Sequence, residues 1–214
     1  MGALILYSVP GTAAPVACAA LEETGAPYET VQVERHDRDT PPQFKQVNPH
    51  GRVPALRDGD VRLYETAAII LHLGDRCADS PLAPAMGTSE RSDYYRWLVY
   101  LTNTLHTAYT RWYAPWYMPD TPELGQSIRE AAARDIGECL DVLDGHLNDR
   151  RYLVGEQFSG ADLLLHMLES PNWSLDLEPA VFTRVNLAAH HARIDERPAV
   201  QRMKAIHGLG WSTA

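Results

Sequence analysis

Four short stretches carry residues that could do chemistry. In LYSVPGTAAP, Ser8 and Thr12 bring hydroxyls to a Val-Pro-Gly turn just ahead of a helical pattern. In NPHGRVPALRDGD, Pro54 stands inside what reads as the start of a strand, although it has no N–H to give a ladder. In YETAAI, Glu65 and Thr66 open a helix whose free N–H groups and positive dipole end suit a carboxylate. Finally, Tyr109, Trp112, Tyr113, Trp116 and Tyr117 put five of the fifteen Trp and Tyr residues into nine positions, with His106 just before them. Each stretch also has a plain structural reading. Thr12 can be a turn or cap hydroxyl, and Pro54 an edge proline that blocks aggregation. Thr66 and Glu65 are ordinary residues near a helix start, and helical aromatics usually pack a core.

Elements must position these groups. Ala3–Tyr7 reads as a strand, Val16–Thr24 as a helix stopped by Gly25, and Tyr28–Glu34 as a second strand. That order makes a parallel β-α-β unit. A charged and Pro-rich loop runs from Arg35 to Pro42. Val53–Leu56 and Val61–Tyr64 flank Asp58-Gly59 as a hairpin, and Glu65–Asp75 is helical. On the first strand Tyr7 points away from the face that carries Ser8, so Tyr7 reads as core. The texture changes at 79–88, where Pro81, Pro84 and Gly87 mark a linker. Beyond it only helices are expected, over Ser89–Tyr113, Glu123–Leu147, Ala161–Ser170, Val181–Ile194 and Ala199–His207. The expected organisation is therefore an α/β domain over 1–78, a linker over 79–88 and an all-helical domain over 89–214. Within the helical part, FSGADL places a Ser159 N-cap three residues before Asp162. Phe158 and Leu163 take the staple positions, so Asp162 reads as a helix initiator and not as a catalytic group.

Composition excludes several classes. The chain has 214 residues, 45% hydrophobic and 22% charged, and a net charge of −9. That balance argues against nucleic acid, whose phosphates need clustered Lys and Arg. No apolar run approaches the roughly 20 residues of a membrane span, and MGALILYS lacks the basic start of a signal peptide. Cys18, Cys77 and Cys139 are odd in number and scattered, which fits a reducing cytoplasm and no disulfide framework. The histidines show no zinc-like spacing, so no metal is expected.

NPHGRVPAL followed by YETAAI resembles the glutathione-site pattern NPxGxVPxL…ESxAI of the cytosolic glutathione transferase family, and GEQFSGADLLL resembles that family's helical capping box. Strand order, linker and helical tail agree, so the resemblance covers nearly the whole chain. It implies a thioredoxin-like N-terminal domain, an all-α C-terminal domain, glutathione as co-substrate and a cytoplasmic homodimer acting in detoxification. It also implies a cis Val53-Pro54 bond, with Val53 offering its backbone to the cysteinyl part of glutathione as an added strand would. Glu65 and Thr66 would hold the γ-glutamyl end, and His50 and Arg52 are candidates for the glycyl carboxylate.

The chemistry implied needs a thiolate, and a thiol of pKa near 8.5 is mostly protonated at neutral pH. The Tyr of some family classes falls where Ser8 stands, and the Cys of others where Ala13 stands. Pro10-Gly11-Thr12 is similar to the PGS turn of a third group, with Thr12 as the hydroxyl. Thr12 is therefore the first candidate to hold the thiolate and Ser8 the second. His106, Tyr109, Trp112, Tyr113 and Trp116 are candidates for the pocket of a hydrophobic electrophile, with some of these aromatics reserved for packing. Glutathione-dependent isomerisation, ether cleavage or dehalogenation, and non-catalytic ligand carriage, are the alternatives.

Overall fold

The computed structural model describes residues 2–9, 12–34, 41–113, 122–169 and 183–208. Four strands form one sheet of order β2-β1-β3-β4. β1 (Leu4–Ser8) runs parallel to β2 (Tyr28–Gln32), as required by the crossover helix α1 (Ala14–Thr24) between them. β3 (Ala55–Asp58) is antiparallel to β1, and β4 (Val61–Tyr64) is antiparallel to β3. α1 has Pro15 in its first turn and ends on Gly25 in the left-handed conformation at φ 64°, where an L side chain would be strained. A four-residue helix, α2 (Pro42–Lys45), follows the segment read as a loop, and residues 35–40 lie outside the described residues. α3 (Thr66–Arg76) completes this part.

The strand limits correct the sequence reading at one place that matters. Pro54 is not in a strand; β3 begins one residue later, at Ala55. A residue without an N–H sits just before the ladder, where none is demanded of it.

The helical part begins with α4 (Ser89–Val99), capped by Thr88, whose hydroxyl accepts the Arg91 N–H at 3.2 Å. The expected single helix to Tyr113 is interrupted by a π-helical stretch, Tyr100–Leu105, before α5 (His106–Tyr113). Threonines bond backward across it: Thr102 Oγ1 donates to Leu98 O at 2.8 Å, and Thr107 Oγ1, from the first turn of α5, to Thr102 O at 3.3 Å. α6 (Pro122–His146), α7 (Gly160–Leu168), α8 (Val185–Asp195) and α9 (Pro198–His207) follow. Among the described residues no helix is long and apolar enough to cross a membrane.

By contacts the chain divides into two compact units, Met1–Ala85 with Asp195–Ala214, and Met86–Ile194. This differs from the expected split into 1–78 and 89–214. The reason is α9, which packs on α1. Arg197 donates from Nε and Nη2 to the two carboxylate oxygens of Glu23, at 2.6 and 2.9 Å. Arg202 pairs with Glu22. A planar guanidinium that meets a carboxylate with two parallel bonds is the stronger form of ion pair. The core of the first unit is built from Leu4, Leu6, Leu56, Ile69, Ile70 and Leu73 with the buried face of α1. That of the second includes Tyr94, Leu98, Leu101, Tyr109, Leu140 and Leu164.

Candidate functional site

Strand register gathers the first three chemical stretches. Tyr7 pairs with Ala55, and Ala55 with Tyr64. Ser8 follows Tyr7 as the last residue of β1, the cis Val53-Pro54 bond comes just before Ala55, and Glu65 just after Tyr64, so all three stand at the same end of the sheet.

The hydroxyls there differ in kind. Tyr7 packs its ring on Phe44 at 5.4 Å, beside Val33, Val47, Ala55 and Val53. Period-two alternation then puts Ser8 on the other face. Ser8 is 2% exposed, and its hydroxyl has no hydrogen-bond partner among the described residues. Thr12 is half-buried, donates to Val9 O at 2.7 Å and accepts the Ala14 N–H at 3.2 Å. It therefore closes the turn that leads into α1, as the plain structural reading of this residue had it. Pro10 and Gly11 lie outside the described residues.

The loop before β3 is fastened by Asn48, which is only 3% exposed. Its side-chain amide donates to Arg52 O at 2.7 Å, and its side-chain oxygen accepts the His50 N–H at 3.0 Å. Gly51, at φ 63°, donates back to Asn48 O at 2.9 Å. A buried amide making both kinds of bond fixes the loop backbone up to Val53. His50 and Arg52 are left exposed, with the His50 ring edge-on to Tyr64 at 6.1 Å between centroids. In the sequence Asn48 stands at the start of NPHGRVPAL, a pattern that by itself gives it no role.

β4 ends at Tyr64, and Glu65 then turns the chain into α3 at φ 72°, ψ 117°. Glu65 is the one non-glycine residue with positive φ among those described. Its carbonyl accepts the Ile69 N–H at 3.0 Å, while its side chain is exposed and makes no cap bond. Thr66 is half-buried in the first turn. The first-turn N–H groups of α3 thus have no side-chain cap, which leaves donors and a positive dipole end for an anion. The far end of α3 is tied to the hairpin turn. Arg76 Nε donates to Asp58 Oδ2 at 2.7 Å, and His72 Nε2 lies 3.0 Å from the same oxygen. Burial works against the Asp58 charge, but the bonds from His72 and Arg76 outweigh it and hold the carboxyl below its ordinary range.

The fourth stretch belongs to the second unit. His106 opens α5 half-buried, and burial lowers its pKa. Tyr109 is 0% exposed and sits in the core, so its expected place in a substrate pocket is corrected to packing. Burial comes first among the influences that raise its hydroxyl pKa, and the Glu169 charge adds to it. Trp112 and Tyr113 are half-buried on α5. Trp116 lies outside the described residues.

Comparison with known proteins places this geometry. The pattern described as "Glutathione S-transferase, N-terminal domain" matches residues 2–75, and "Glutathione S-transferase, C-terminal domain" matches 106–198. Glutathione S-transferase GstA of Escherichia coli O157:H7 is 28% identical over 95% of this chain and 98% of its own length. Glutathione S-transferase-like protein OpS6 of Beauveria bassiana (strain ARSEF 2860) is 32% identical over 86% of each chain. A sphingomonad glutathione S-transferase solved in complex with glutathione superposes with a TM-score of 0.82 at 31% identity, covering 96% of this chain and all of the other.

Proposed function

Because this chain belongs to the glutathione S-transferase family, we propose that the gathered sheet end seats glutathione and that Thr12 holds its thiolate for attack on an apolar, electrophilic carbon. The protein is a glutathione transferase, and the isomerase, etherase, dehalogenase and carrier readings are not favoured. The observation that carries the reading is the register Tyr7–Ala55–Tyr64, which gives three stretches distant in sequence a common end.

The roles follow from chemistry. The Val53 backbone, fixed ahead of β3 by the Asn48 loop, pairs with the cysteinyl peptide. The uncapped first turn of α3 and the Thr66 hydroxyl receive the γ-glutamyl carboxylate. The Glu65 carboxylate accepts from the amino group, and exposed His50 and Arg52 meet the glycyl carboxylate. Thr12 has one proton. It keeps the Ala14 N–H as an accepted bond and turns its own proton from Val9 O to the sulfur. Ser8, at 2% exposure, is a poor second choice because its hydroxyl is shut away from any ligand. The sulfur lone pair forms the C–S bond, and the leaving group departs with its electron pair. His106, Trp112, Tyr113 and Trp116 are the candidates for touching the second substrate. A homodimer in the cytoplasm completes the proposal.

Thr12→Val is expected to raise the pKa of the bound thiol by about one unit, or about 1.4 kcal/mol, and to lower kcat/KM near neutral pH about tenfold. Thr12→Ser should restore it, which a merely steric role for the threonine would not require. Conjugation of an aromatic halide to glutathione, followed from pH 6 to 9, reads both. Unchanged activity in Thr12→Val together with loss in Ser8→Ala would transfer the role to Ser8.

A further inference from the structure

Outside the proposed glutathione site, the helical unit buries a cluster of ionisable groups. Asp162 at the start of α7 and Glu169 just past its end are both 0% exposed, and His190 of α8 is 0% exposed between them. His190 Nε2 lies 3.0 Å from Asp162 Oδ1, and Nδ1 lies 3.3 Å from Glu169 Oε2. A neutral imidazole has one N–H, whereas two carboxylate acceptors on opposite sides ask for two. With both carboxyls ionised, only the imidazolium satisfies both. A buried charge is tolerated when it is paired and hydrogen-bonded in this way.

We propose that Asp162, His190 and Glu169 form a proton-held latch, in which a single proton on His190 joins α8 to the start of α7 and to the residue just past its end, and its loss in alkali loosens α8. With the proton gone, one ring nitrogen becomes an acceptor facing a carboxylate, and two lone pairs are opposed in the interior.

The surroundings favour the charged state. Among the described residues, the ionisable groups around the latch are Asp162 and His166 of α7, Glu169 just past its end, and His191 beside His190 on α8. Tyr109 of α5 and Arg184 also act there, since the charges of Glu169 and Arg184 both bear on the Tyr109 hydroxyl. His191 Nδ1 is 3.6 Å from Glu169 Oε2, and its ring stacks on His166 at 4.4 Å between centroids. Arg184 is turned toward Asp141 and Gly137 O. Two carboxylates against one imidazolium leave an excess of negative charge, which opposes release of the His190 proton. Burial pulls the His190 pKa down, but the Glu169 charge and the bonds to Asp162 and Glu169 outweigh it and raise it to about 9. Since the free value is about 6.5, the contribution to stability is complete below pH 6.5. It is lost progressively as pH rises toward 9.

The test uses the whole protein and its Glu169→Gln variant. The amide introduced by that substitution can donate to the ring, so a neutral His190 then suffices. In the unaltered protein, nitrogen-15 resonances should show both His190 ring nitrogens protonated at pH 7.5. The folding constant, from denaturant midpoints, should fall by up to tenfold per pH unit between about 6.5 and 9. In Glu169→Gln the total fall from pH 7 to 9 should shrink by about tenfold or more. A His190 with one bare ring nitrogen at pH 7.5 in the unaltered protein would overturn the proposal. So would a folded Glu169→Gln variant with the same pH dependence. The resonance measurement decides the matter alone if the variant does not fold.

Discussion

Glu65→Gly should weaken glutathione binding by about 10- to 100-fold and at the same time make the folded protein slightly more stable. The first effect follows from the carboxylate, since a hydrogen bond to a charged group contributes about 1.5–3 kcal/mol. The second follows from the backbone. At φ 72° a residue with a Cβ is held in a sparsely populated conformation, which costs about 1–3 kcal/mol. Glycine removes that cost but gives back roughly 0.4–1 kcal/mol through the greater freedom of its unfolded chain. A net gain of about 1 kcal/mol would raise Tm by about 2–4 °C. Glu65→Ala is the control, because it loses the carboxylate and keeps the strain. Titration calorimetry with glutathione and thermal melts of both variants give the answer. A Glu65→Gly protein that binds normally and melts earlier would show that the unusual backbone serves the fold and not the ligand.

Asp162→Ala should cost about 3–5 kcal/mol of stability, the range for breaking a buried charged pair from one side. Asp162 Oδ1 accepts the Leu153 N–H at 2.8 Å and faces His190, while Oδ2 accepts the Ser159 N–H at 2.8 Å and the Ser159 hydroxyl at 3.1 Å. Alanine would leave two backbone donors and a hydroxyl without their acceptor and strip His190 of one counter-charge. Urea unfolding at pH 7 measures the loss. Activity per folded molecule should hold, because Asp162 initiates a helix and touches no substrate in the mechanism above. A loss below about 1 kcal/mol would mean that water or a rearranged α7 replaces those bonds.

Much of this was legible in the residues. Two hydrophobic periods, one before residue 78 and one after 89, separate a sheet from a helical array, and the Ser159–Asp162 spacing announces the start of α7. Other features were hidden for physical reasons. A period-3.6 reading of Ser89–Tyr113 cannot show a π-helical stretch, because the change lies in backbone pairing and not in residue type. Residue type likewise presents Tyr109 as one of several interchangeable aromatics, although it is wholly buried. The fastening role of Asn48 depends on where Arg52 O and the His50 N–H point, which a motif does not state. The His190 latch joins groups 21 and 28 residues apart, and a histidine on a helix gives no sign of which face it occupies. Composition also changes where strands stop, which says nothing about the core that a later helix such as α9 joins.

The two arginine pairs that join α1 to Arg197, just ahead of α9, and to Arg202 within it bear on how the chain is made in the cell. Their acid partners, Glu22 and Glu23, emerge from the ribosome early, but Arg197 and Arg202 emerge late. At roughly 5–20 residues per second, the stretch between Ala85 and Asp195 takes on the order of ten seconds to synthesise. Through that interval the α1 surface that α9 will cover stays open to solvent. The intervening helical unit has time to form first, so the part begun first is the last to be finished.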